Sequence, residues 1–594
     1  MKKRSMLLLL VLLLPILASC GASGATSTQQ TVQTAAKTTQ EQQLSVEEIT
    51  DTSAQELTQM AVIVLGGDTA SAEGEGVTID GSAVTITQGG SYTLSGTLLG
   101  GGIIIDAGKN DTVELILNGV SITSETSAAI FAKQSELLII TLAEGTENYL
   151  SDASSYVYAD AAQDEPSAAL YSKDDLYIRG AGALTIYGNY QNGVTSKDNL
   201  VIESGTVTIE AENHGIRGKD SVTILDGTIT VTAGDDGIQA DNTEDSGSGT
   251  VLIEGGVIDM TVEHDGIQAV SALTITGGEI TILAGGGYTT ETYSSQQSYK
   301  ALKSTGTVAV SGGVITVNSL DDAIHANQSV TITGGTLTLL SRDDGVHADD
   351  TLSITGGTID ILICYEGLES AVVNISGGAV SMLAADDGIN AADASESGQG
   401  DWMGAVGGWG TGDTSLQVNI SGGSITINAY GDGIDSNGTV TMSGGELYIS
   451  GPLSSANGAL DYDSSFIISG GVMAAAGSSG MAQTPSSNSS QPSVMVYFTQ
   501  SQTAGSTYLL TDTSGNVLVS CTPDKDFQCI VFSAPGMKSG SSYELYESTD
   551  GMLDNATLLY DITLSGAITS VGGSYGQTTW TQQNTQPQQR NNRR

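Results

Sequence analysis

The chain has 594 residues, of which 67 are acidic and 19 basic, for a formal net charge of −48. Such a surface repels nucleic acid and anionic lipid and attracts divalent cations. With 77 glycines, 8 prolines and 5% aromatic residues, the composition favours strands joined by glycine turns over a large aromatic core.

Lys2, Lys3 and Arg4 precede an apolar run from Met6 to Leu17 that is too short to span a bilayer and reads as a signal peptide over residues 1–20. It ends in Leu17-Ala18-Ser19-Cys20-Gly21, which resembles the bacterial lipobox and implies lipidation at Cys20. Residues 21–60 are rich in Thr, Gln, Ala and Ser and read as a flexible spacer. The expected location is extracellular, at the cell surface, with the membrane reached through the lipid anchor only.

A repeat follows. DDGIQA (235–240), HDGIQA (264–269), DDAIHA (321–326), DDGVHA (343–348), YEGLES (365–370), DDGINA (386–391) and GDGIDS (431–436) are copies of one unit. QNGVTS (191–196), NHGIRG (213–218) and YKALKS (299–304) are weaker copies, and SANGALDY (455–462) ends the series. Val194, Ile216 and Ile238 are 22 residues apart, as are Leu302, Ile324, Val346 and Leu368, with Ile389 after 21. Between copies lie alternating Val/Ile/Leu/Thr runs around Gly-Gly, such as VTITGGTLTLL (330–340).

Alternation means half-buried strands, and no stretch has helical periodicity. The expected fold is all-β, a right-handed parallel β-helix over residues 61–480 with coils of about 22 residues, each stacked about 4.8 Å from the last. Less regular N-terminal coils (about 75–190) suit a capping role. Two insertions interrupt the period, 285–298 and 392–415, the second carrying Trp402 and Trp409. Residues 481–493 read as a linker, 494–566 as a small C-terminal β domain and 567–594 as a disordered tail. Cys521 and Cys529 could close a small loop in that domain, while Cys364 suits a core.

In I-x-A the Ile and Ala face the core and x faces solvent. The x residues include Gln268, Lys303, His325, His347, Glu369 and Asn390, a polar column at strand spacing that could grip a polysaccharide. The acidic turn residues Asp235, Asp236, Asp265, Asp321, Asp322, Asp343, Asp344, Asp386 and Asp387 enter the same strand. Stacked unit charges about 4.8 Å apart repel by roughly 3.5 kcal/mol at an effective dielectric of about 20, a penalty that a cation relieves. Ca²⁺ fits best, taking about six to eight oxygens in loose geometry. Zinc is not expected, because the four histidines have no cysteine cluster beside them.

The succession YKALKS, DDAIHA, DDGVHAD, YEGLES and DDGINA, with I-x-GG-x-I strands between, closely resembles the bacterial carbohydrate-binding domain family of the clostridial cellulose- and pectin-binding type. The resemblance spans about residues 75–480 and is most specific from Tyr299 to Ala391; Ala301 and Ala323 stand where the motif usually allows Gly. It implies a pectate-lyase-like β-helix, bound Ca²⁺, surface display and polysaccharide binding without catalysis. The expected function is therefore a monomeric, calcium-dependent, non-catalytic binder of a cellulose- or pectin-like polysaccharide. The alternatives are a uronate-polymer lyase using Lys303 or Lys300 as base, and a structural adhesin rod.

Overall fold

The computed structural model describes residues 46–573 apart from 54, 159, 161 and 394–412. The expected signal peptide, Cys20, residues 21–45 of the expected spacer, Trp402, Trp409 and residues 574–594 lie outside the described residues.

The protein is all-β. Among the described residues one continuous sheet holds 43 strands and a second holds four. From about residue 100 to 476 the strands recur in threes, and each pairs in parallel with its counterpart one period later. Ile324–Ala326, Ser329–Ile332 and Thr336–Ser341 form one such set, or coil. Their registers run Ile324↔Val346, Val330↔Leu352 and Leu337↔Ile359. β-Branched residues at alternate positions suit this pleat: every second side chain is buried, as in the pattern of Ser329–Ile332. The inward residues of all three strands merge into one apolar core from Ala61 to Val531.

The Gly-Gly corners keep coils in step. Gly357 has φ +89°, and a Cβ there would lie 3.0 Å from the Gly334 carbonyl oxygen. At Gly356 a Cβ would lie 2.4 Å from the Thr333 oxygen. Both the conformation and the close approach of the preceding coil therefore exclude a side chain.

At the N-terminal end the structure departs from the expected spacer. Val46–Ser53 is a helix. Its Ile49 is fully buried against Leu137, Ile139, Tyr177 and Val201 on the outer side of the sheet. The first strand, Gln59–Gly67, already pairs in parallel with Gly90–Gly100.

The C-terminal end differs too: Ile568–Gly572, within the expected disordered tail, is a strand paired in parallel with Ser493–Gln502. Residues 481–493 do not behave as a linker. Ser486 N donates to Phe466 O at 2.7 Å and its Oγ accepts from Phe466 N at 3.0 Å; Ser489 Oγ accepts from Ile468 N at 3.1 Å. The segment thus satisfies the backbone groups that the last coil, Ser465–Gly477, would otherwise leave open. That coil pairs antiparallel with Phe527–Ser533, which also pairs with Ser493–Gln502. Ala474 and Ala476 share a second core with Val494, Phe498, Tyr508 and Phe532, so the C-terminal strands extend the coil stack. Thr507–Asp512, Val517–Cys521, Ser542–Ser548 and Thr557–Thr563 form the separate antiparallel sheet. Cys521 and Cys529 lie on strands of different sheets and are free thiols, so no loop is closed between them. Cys364 is buried in the main core.

Candidate functional site: a carboxylate column on one edge

The I-x-A strands stack in unbroken register: Gln239↔Gln268↔Lys303↔His325↔His347↔Glu369↔Asn390↔Asp435↔Asp461. In each the flanking aliphatic residues are buried and x is half-buried. The structure thus places Gln268, Lys303, His325, His347, Glu369 and Asn390 in one line.

The Asp pairs divide by depth. The second of each pair, Asp236, Asp265, Asp322 and Asp344, is buried. Asp235, Asp321 and Asp386 are half-buried and Asp343 is exposed; Asp387 is half-buried although it is a second member. The buried position forms a side-chain-to-backbone ladder. Asp236 Oδ1 accepts from Asp265 N at 3.1 Å, Asp265 Oδ1 from Lys300 N at 2.8 Å, and Asp322 Oδ1 from Asp344 N at 3.0 Å. Asp387 Oδ1 accepts from Asp432 N at 2.6 Å, and Asp432 Oδ1 from Gly458 N. One carboxylate oxygen thus satisfies a turn N–H of the following coil.

The other oxygen meets the x column. Gln239 Nε2 donates to Asp236 Oδ2 at 2.8 Å and Lys303 Nζ to Asp265 Oδ2 at 2.7 Å. His325 Nδ1 lies 2.8 Å from Asp322 Oδ2, and His347 Nδ1 lies 3.0 Å from Asp344 Oδ2 and 2.9 Å from Glu369 Oε2. Asn390 Nδ2 donates to Glu366 Oε2 at 2.7 Å. The x residues therefore form a row fixed by the carboxylates behind it, not a set of free side chains.

Lys300 adds a contact that the Asp pattern alone does not show. It occupies the buried-Asp position of its own coil, and its Nζ lies 2.8 Å from Asp321 Oδ1 and 2.7 Å from Asp322 Oδ2 on the next. Burial opposes its charge, but Asp322 and Asp321 push its pKa well up. Burial likewise opposes the Asp322 carboxylate, yet Lys300 and His325 hold it well below the usual range. A tethered ammonium here supplies the cation that the stacked acids call for. At Asp236, by contrast, burial and then the neighbouring Asp265 and Asp235 push the carboxyl up to about 7. His264 Nδ1 lies 2.5 Å from Asp235 Oδ1, while His214 lies 3.6 Å from Asp236 and 3.8 Å from Asp235. The histidines thus lack cysteine partners but do cluster with carboxylates, which sequence spacing alone did not reveal.

The C-terminal rungs carry no such neutralisation. Among the described residues no Lys, Arg or His ion-pairs with Asp386, Asp387, Asp432, Asp435, Asp461 or Asp463. Carboxylate oxygens of Asp387, Asp432 and Asp435 lie within 4.8 Å of one another. Burial and then neighbouring acids push Asp387 up to about 8, Asp432 to about 7 and Asp435 to about 6. Asp386 accepts a hydrogen bond from Tyr365 Oη at 2.6 Å. Asp432 and Asp435 were not among the expected metal ligands; the GDGIDS copy that holds them has one Asp in the turn and a second at x. Asp321, Asp322 and Asp343 also converge within 4.8 Å, but there Lys300 already bridges the first two.

The family model for carbohydrate-binding domain-containing proteins matches residues 80–345 and 341–504. A carbohydrate-binding domain-containing protein of Acetivibrio thermocellus is 40% identical over 152 residues, which are 25% of this chain and 53% of that protein. The chain thus spans about half the length of that curated relative. A solved structure described as the polysaccharide lyase-like protein from C. thermocellum, gadolinium derivative, is 37% identical and covers 42% of this chain and 96% of its own, with a TM-score of 0.40. With more than half of its length matched by the family model, the chain belongs to the family of carbohydrate-binding domain-containing proteins.

Proposed function

We propose that this protein is a calcium-dependent, non-catalytic polysaccharide-binding protein, displayed at the cell surface through a lipidated Cys20, with its coils wound as a right-handed parallel β-helix. The observation that carries the reading is the in-register polar row from Gln268 to Asn390, repeating once per coil along one edge. A row with strand spacing presents fixed donors and acceptors to successive units of an extended glycan. Calcium is assigned first to Asp387, Asp432 and Asp435, where converging carboxylates have no basic partner among the described residues. Asp235, Asp236, Asp265, Asp321, Asp322, Asp343, Asp344 and Asp386 rank behind them, because most already bond a lysine, a histidine or a tyrosine.

The same contacts weigh against a lyase. Proton abstraction needs a lysine with a lowered pKa, whereas Lys300 and Lys303 are each held by carboxylates and that of Lys300 is pushed up. Binding of an acidic pectin-like chain would oppose the −48 charge unless Ca²⁺ bridges it, so a neutral cellulose-like chain and a Ca²⁺-bridged uronate chain are the two substrate classes.

A glycan array with the full chain, with and without Ca²⁺, tests the reading. Binding to cellulose or pectin oligomers that weakens in chelator and in Asp387→Asn is expected. Release of an unsaturated, ultraviolet-absorbing product from polygalacturonate would overturn the non-catalytic assignment, and no binding to any glycan would overturn the whole.

A further inference from the structure

We propose that Asp344, His347 and Glu369 form a binding site for a first-row divalent transition-metal ion of the zinc class, built across two adjacent coils. The donor atoms are one imidazole nitrogen and two carboxylate oxygens lying within 4.8 Å of one another. His347 Nδ1 is 3.0 Å from Asp344 Oδ2 and 2.9 Å from Glu369 Oε2. A ring nitrogen carries at most one hydrogen, so one proton cannot serve both carboxylates fully. Separations near 3 Å also match adjacent donors around a six-coordinate ion bound at about 2.0–2.2 Å.

The surroundings suit a ligating ring. His347 Nε2 lies 3.1 Å from Asp349 Oδ1, a second-sphere carboxylate of the kind that fixes the tautomer and plane of a metal-bound imidazole. The His325 ring stacks on it, with centroids 4.7 Å apart and planes 12° apart, and is itself tied to Asp322. Backbone register holds the spacing, since His347 and Glu369 are direct strand partners. The site is sheltered but reachable: the His347 and Glu369 side chains keep 14% and 17% exposure.

The imidazole separates this site from the all-oxygen group at Asp387. Calcium prefers oxygen, whereas an imidazole–carboxylate set favours zinc and its neighbours. The carboxylates that flank the ring also attract a divalent ion. The inference goes beyond polysaccharide binding and stands without it.

The test uses the full chain, stripped of metal and held in millimolar Ca²⁺ to fill oxygen sites, then titrated with Zn²⁺ by calorimetry and with Co²⁺ by visible absorption. One equivalent of Zn²⁺ and a Co²⁺ ligand-field band are expected. His347→Gln should lose both, Asp387→Asn and His325→Gln should keep both, and Asp349→Asn should weaken binding by about tenfold. Melting curves in Ca²⁺ verify folding, and Glu369→Gln serves in place of His347→Gln if the latter unfolds. Wild-type-like Zn²⁺ binding by His347→Gln and Glu369→Gln, or no Zn²⁺ bound in the presence of Ca²⁺, would overturn the site.

Discussion

Two stretches of the same carboxylate column solve one electrostatic problem differently. From Asp265 to Glu369 the acids are interleaved with Lys300, Lys303, His325 and His347, each within 3.0 Å of a carboxylate. From Asp386 to Asp463 the column is acidic without relief from any described basic residue. Both stretches carry Asp-to-N–H bonds of the same kind, and charge balance separates them. An acidic repeat thus does not by itself mark a calcium site: what matters there is whether the chain supplies its own cation.

The sharpest way to break the contrast is to remove the tethered cation. Lys300→Met leaves Asp322 buried beside Asp321 and Asp343, and should cost about 3–5 kcal/mol in chemical denaturation. Millimolar Ca²⁺ should restore part of that loss in the variant and add little at this position in the wild type. A smaller effect is expected at the bare end as pH changes. Asp387, Asp432 and Asp435 titrate at about 8, 7 and 6 when folded, above the unfolded value of about 3.9. The folded chain therefore binds more protons, and the stability these groups contribute is full below about pH 4 and lost as pH rises through about 8. Melting temperature in chelator should fall over that window, and saturating Ca²⁺ should flatten the fall. A flat profile in chelator would mean that the three carboxyls are not strained together. The smallest change belongs to surface charge: Lys133→Ala removes an exposed pair with Asp106 and should alter stability by less than about 0.5 kcal/mol.

Much of the fold was legible because the period and the side-chain alternation are local. Val194, Ile216 and Ile238 fall in one line in space as they do in the sequence. The two ends were less legible for compositional reasons. In the polar stretch before Gln59 the helix is held by the single buried aliphatic residue Ile49 among the described side chains and by Arg179 on the Ser53 carbonyl, too weak a signal beside its Thr and Gln neighbours. Residues 481–493 have a linker's composition, yet Ser486 and Ser489 use their hydroxyls to close the last coil. The candidate site was partly visible: aligning YKALKS on DDAIHA sets Lys300 at the buried-Asp position. What alignment could not show is that its ammonium reaches forward one coil, or that the second Asp spends one oxygen on a backbone N–H. Both are facts of side-chain reach rather than of register.

The Gly-Gly corners carry a consequence for how such a chain can change length. Each corner is filled by the carbonyl of the coil before it, as at Gly356 and Thr333, leaving no room for a side chain. Changes of length are absorbed away from the corners: one residue is dropped between Ala348↔Ser370 and Thr351↔Val372, yet Gly378 still packs against Gly356 and Gly357. Whole-coil duplication leaves the stacking intact, and so does an insertion in a loop such as 285–298. The corners thus act as fixed points of the stack, leaving changes of length to the turns and loops between the strands.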